Sequence, residues 1–241
     1  MWNAVARGDL RARRQSSKSV GLVTFSLALL AATILLLVPQ ELEGDSRIHL
    51  DSPYLLLAIQ MALFSYLISA SACGEIAIEG EKTIWDLAGT RFPPRVIVYG
   101  KMTSSLLSCL TLLVMAAPFQ ALVVGLTGAS PALLFVGWLL TLAIAWTGAA
   151  VALWGMTLRE SEALRSLVHW AWLGTVLLLS AVFPAPWRLL NPFRALRDAF
   201  DGGWAWIGSL GSYMVLSLVF LEWARWRLQR WRRLDEHLRE G

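Results

Sequence analysis

The sequence predicts an all-α integral membrane protein with six transmembrane helices and both termini in the cytoplasm. Three observations carry that expectation. Of the 241 residues, 56% are hydrophobic and only 16% charged, whereas about a quarter of the residues in a soluble domain are charged. The charges are also segregated: no Asp, Glu, Lys or Arg occurs in residues 19–40, 52–74, 102–158, 166–187 or 203–221. A helix needs roughly 20 apolar residues to cross the hydrocarbon core, so four of these runs hold one span each and 102–158 holds two. Finally, 17 of the 21 Lys and Arg residues fall on the side of the termini. Basic residues near span ends stay in the cytoplasm, which sets the orientation and explains the net charge of +4.

The arm, residues 1–19, carries Arg7, Arg11, Arg13, Arg14 and Lys18. It is expected either to lie on the inner membrane surface, attracted by anionic lipid, or to be solvated. Span one, 20–39, is too long for a signal-peptide h-region and ends in Leu-Val-Pro-Gln without a small-x-small cleavage signal, so it is expected to be retained. An acidic loop with Glu41, Glu43 and Asp45 then faces outside. Span two covers 53–74, with Gln60 as a polar feature. Cys73 and Cys109 are too few for a disulfide framework and fit helix packing.

Residues 75–101 form a charged cytoplasmic segment between apolar runs. Glu75, Glu79, Glu81, Lys82 and Asp86 keep it out of the bilayer. Thr83 to Asp86 has capping-box spacing, Ile84, Leu87 and Ala88 share one helical face, and Trp85 adds a large flanking surface. Gly89 is a stop signal, and Pro93-Pro94 bars a helix from continuing. A short amphipathic helix, a rigid turn and a basic start to span three follow from that order.

Span three, 99–124, contains Pro118, which is expected to kink it and shape packing. The turn signal at 125–131 separates it from span four, 132–156. Gly137, Thr141, Thr147, Gly148 and Gly155 suit close helix approach. A second inner loop, 159–165, follows. Span five, 167–184, holds His169, expected as an interfacial hydrogen-bonding residue. In the outer loop 185–206, Asn191-Pro192 is a helix start. Phe193, Leu196 and Phe200 then share a face, predicting a short amphipathic outer helix bracketed by Trp187, Trp204 and Trp206. Span six, 206–223, runs into a Trp- and Arg-rich tail. The domain is thus 20–226, flanked by the basic arm 1–19 and the basic tail 227–241.

No catalytic arrangement is visible. His49, His169 and His237 lie at three different levels, and neither HExxH nor GxSxG occurs. Gly100-Lys101 fails as a phosphate loop: Arg95 stands where the first Gly belongs and Met102 where Ser or Thr belongs. Gly100 is instead expected to permit close packing, with the Lys101 ammonium reaching water. No metal site, no cofactor bound by this chain and no nucleic-acid partner are expected. The tail's Trp and Arg residues suit nucleic acid too, but their place directly after a span favours membrane lipid.

The stretch 79–101 resembles the cytoplasmic signature of type-2 ATP-binding-cassette (ABC) exporter permeases. Glu79, Glu81, Thr83, Trp85, Asp86, Leu87, Thr90, Pro94, Arg95, Ile97, Gly100 and Lys101 fall at matching positions, while Lys82 stands where Gly is usual and Arg91 where Pro is usual. The resemblance implies that 79–90 is a coupling helix docking into a separate ABC ATPase subunit through Glu79, Glu81, Lys82, Thr83, Trp85, Asp86 and Leu87. Arg159, Glu160, Glu162 and Arg165 of the second inner loop would be a lesser contact. Arg95, Gly100 and Lys101 would mark the start of span three. It further implies a dimer of permeases, ATP and Mg handled only by the partner subunit, and a bacterial-type plasma (inner) membrane location. A non-transporting membrane scaffold and, less favoured, an intramembrane enzyme are the alternatives.

Overall fold

Every regular element among the described residues is helical. The structure is a computed structural model and describes residues 2–15, 21, 23–33, 51–73, 87, 89, 90, 92–158, 162–176 and 187–240. In chain order the helices are α1 (Trp2–Gln15), α2 (Val23–Thr33), α3 (Asp51–Cys73), α4 (Pro94–Thr127), α5 (Pro131–Met156), α6 (Glu162–Gly174), α7 (Pro192–Phe200) and α8 (Ala205–Glu240).

Four of them, α3, α4, α5 and α8, are long and apolar enough to cross a membrane. Their length and composition fit a membrane-embedded protein. The predicted spans two, three, four and six correspond to these four helices. Span one is represented by α2, and span five by α6 and the π-helical residues 175–176 after it. The remainder of both runs lies outside the described residues.

The long apolar run breaks where its turn signal stands. α4 ends at Gly128, whose φ of 67° is left-handed and therefore favours Gly. Ser130 then caps α5 by accepting from the Ala132 N–H, and Pro131 takes the first helical position. α4 itself continues through Pro118.

α5 is the hub, packed against α3, α4, α6, α7 and α8. Its small residues make this possible. A methyl group added at Gly137 would lie 2.9 Å from the Leu57 side chain on α3. One added at Gly148 would lie 3.1 Å from Ser69 Cβ and 3.2 Å from Trp172 Nε1 on α6. Thr147 ties α5 to α8 through its hydroxyl, which donates to the Tyr213 carbonyl at 3.0 Å.

Three helices also share a polar clasp. The Gln120 amide of α4 donates to Gln60 Oε1 of α3, and Trp138 Nε1 of α5 donates to Gln120 Oε1 at 2.6 Å. Gln60 and Gln120 are fully buried, so in hydrocarbon each amide needs such a partner.

The short helix α7 forms as its sequence indicates: the Asn191 side chain accepts from the Arg194 N–H at 3.0 Å and Pro192 opens the helix. Its apolar face, with Leu196 buried and Phe193 and Phe200 half-buried, is turned onto α3, α5 and α8. Tyr54 of α3 donates to the Phe193 carbonyl at 3.3 Å. Past α7, the Asp198 carboxylate accepts from the Ala205 N–H at 2.7 Å and so caps α8.

Candidate functional site

Among the residues singled out by sequence, Leu87, Thr90, Pro94, Arg95, Gly100 and Lys101 are described and lie at the Pro94 end of α4. Leu87 is buried in the main core cluster with Ile97, Val98 and Met102 of α4. Its carbonyl accepts from both the Thr90 N–H at 3.0 Å and the Thr90 hydroxyl at 2.5 Å. That hydroxyl also accepts from the Phe92 N–H at 3.4 Å. Serine and threonine stabilise tight turns in this way. Pro93 adopts φ −59° and ψ 144°, Pro94 takes the first helical position, and the Pro93 carbonyl accepts from Val96 and Ile97. Pro93 and Pro94, two residues whose φ is fixed, therefore open α4 at this junction.

Helices from both ends of the chain grip this junction. α8 contributes Arg232, which donates to the Thr90 carbonyl at 2.9 Å. Leu221 and Leu228 of the same helix are buried in the cluster that holds Leu87, with Trp231 packed against it. One turn into α4, Tyr99 donates to Glu222 of α8 at 2.9 Å, and Glu222 is paired with Arg225 at 2.6 Å. From the other side α1 packs along α4. Its Val5, Ala6 and Asp9 are buried, and the Asp9 carboxylate pairs with the Lys101 ammonium at 3.0 Å.

Two expectations change here. Lys101 is buried at 8% exposure and ion-paired, so its ammonium is held by Asp9 instead of reaching water. Residues Trp2–Gln15 of the arm form a helix with one face on α4, where a strip on lipid or in solvent was expected. Positions 5, 6 and 9 share a helical face, a short pattern with one acid, Asp9, set among the arm's five basic residues. Gly100 is buried as expected, and Arg95 is exposed.

Of the other predicted coupling residues, Glu79, Glu81, Lys82, Thr83, Trp85 and Asp86 lie outside the described residues, as do Arg159 and Glu160. Glu162 and Arg165 fall in the first turn of α6. Sequence reasoning missed Asp9, Tyr99, Glu222 and Arg232. A Tyr just before the 102–158 run and a Glu just after the 203–221 run were the available signal for one pair.

Among the described residues no group of three or more His, Cys, Asp or Glu side chains could hold a metal ion. The Leu87–Thr90 turn is thus packed against α4 through Leu87 and bonded to α8 through Arg232, while Lys101 ties α4 to α1. No protein-family model matches the chain, and no curated protein or solved structure matches it either.

Proposed function

We propose that this chain is the membrane-spanning subunit of an ATP-driven ABC exporter of the type-2 permease kind, working as a dimer with separate ATPase subunits. The supporting observation is the tight junction at Leu87–Pro94. The segment whose residues resemble a coupling helix ends in a turn whose Leu87 side chain is buried, whose Thr90 is hydrogen-bonded, and which leads into a 34-residue apolar helix. A coupling device needs that property: a force applied by a partner must move a span before it bends a loop. The charged and aromatic residues 79–86 would form the handle, and Leu87–Lys101 the stiff connection. Both termini would be cytoplasmic, six spans would cross a plasma-type membrane, and the chain itself would bind no nucleotide.

The test is biochemical. The full chain, purified from its native membrane in mild detergent, should bring down a protein with nucleotide-binding motifs, and the complex should hydrolyse ATP in a vanadate-sensitive manner. Isolation of the chain with full integrity but without any ATPase, across several detergents and in cross-linked membranes, would overturn the reading.

A further inference from the structure

α8 is longer than a membrane is thick. Its 36 residues span about 54 Å at 1.5 Å per residue, against a hydrocarbon core of about 30 Å. Its two faces are cleanly separated. Tyr213, Ser217, Leu221, Ala224 and Leu228 are buried against the bundle. Two positions after each of them, about 200° around the helix, stand Val215, Val219, Trp223, Trp226 and Arg230, of which the first four are 61%, 54%, 45% and 53% exposed. Arg230 and then Arg233 continue the stripe and are exposed as well.

One face thus changes from valine, through tryptophan, to arginine along a single line. The order matches the order of layers in a leaflet: acyl chain, headgroup boundary, phosphate. The Arg230 guanidinium lies 5.7 Å from the Trp226 ring centroid. It is therefore folded back toward the apolar part of the helix, away from the chain's end. Helical side chains lean toward the N-terminus, and here that lean sets the guanidinium beside the Trp226 ring, where the stripe passes from apolar to basic. Guanidinium groups bind phosphate oxygens through a planar fork, and basic residues beside a negatively charged leaflet gain from it.

We propose that Trp226, Arg230 and Arg233 form a binding site for the phosphate headgroup of an anionic phospholipid, whose acyl chain lies along Val215, Val219 and Trp223. Continuity with the exposed apolar stripe selects lipid over a soluble partner, since the same line of residues meets both ends of one molecule. The site needs only that α8 crosses a bilayer, so it stands or falls separately from the exporter reading.

The experiment uses the purified full chain in detergent and dioleoyl-phosphatidylglycerol and dioleoyl-phosphatidylcholine as probes, with bound lipid counted by native mass spectrometry. The wild-type chain should retain phosphatidylglycerol in preference. Arg230→Gln with Arg233→Gln should lower phosphatidylglycerol affinity by about 30-fold, the loss expected from two basic contacts. Phosphatidylcholine binding should be unchanged, and Arg194→Gln, an exposed arginine on α7, should have no such effect. Trp226→Leu, which keeps both charges, should weaken binding less. Equal retention of the two lipids by the wild type would overturn the proposal. So would wild-type retention by the double variant, or tighter binding of an RNA oligonucleotide than of phosphatidylglycerol at the same arginines.

Discussion

Asp9 and Lys101 are the residues whose removal should be felt most. Both are buried, so each is the other's compensation for leaving water. Removing one partner of a buried pair costs about 3–5 kcal/mol, because the other charge loses its ion-pair compensation for burial. Asp9→Ala or Lys101→Ala should therefore unfold at markedly lower denaturant, while replacing both with leucine should recover most of the loss. Chemical denaturation of the three variants in one detergent checks this, and equal stability of single and double variants would show that the pair carries no weight. The clasp on α4 offers a second residue-scale test. A mutant cycle between Gln60→Leu and Gln120→Leu should give a coupling energy of about 1 kcal/mol, the range seen for hydrogen bonds between membrane helices.

At the scale of elements, the local signals were legible in the sequence. Gly128 and Pro131 mark the break in the long apolar run, Asn191-Pro192 starts α7, and Gly137 and Gly148 allow α5 to lie against its neighbours. Each of these depends on residues close together in the chain or on a size requirement at one position. The grip on the Leu87–Thr90 turn was not legible. Arg232 and Thr90 are 142 residues apart, and Gln120 and Gln60 are 60 apart. Neither periodicity nor capping chemistry links residues at such distances. The same limit hid the role of the arm, where five basic residues gave the expectation of a segment on the membrane surface or in solvent, and Val5, Ala6 and Asp9 gave the packed face. An element-scale prediction follows for the tail. Arg232→Ala should raise amide exchange at Thr90 by about tenfold, as loss of a charge-assisted hydrogen bond of ~1.5 kcal/mol implies. Arg232→Lys should restore part of the protection. Unchanged exchange at Thr90 would mean that α8 does not hold the turn.

At the scale of the whole molecule, charge segregation foretold a helical membrane protein, and four helices of spanning length bear out that coarser reading. The proposed six-span layout makes a direct prediction: reporter fusions at residue 1 and residue 241 should both mark the cytoplasm, and a fusion within the 41–47 loop should mark the outside. The functional account asks more of the molecule. If α1 and α8 grip the start of α4 so that a pushed turn moves three helices together, the surface that receives the push must be the 79–86 segment ahead of it. Trp85→Ala combined with Asp86→Ala addresses that claim most directly. With the full chain still inserted and folded, the double variant should lose the ATPase subunit on purification. A double variant that keeps the ATPase and its hydrolytic activity at wild-type level would contradict the account.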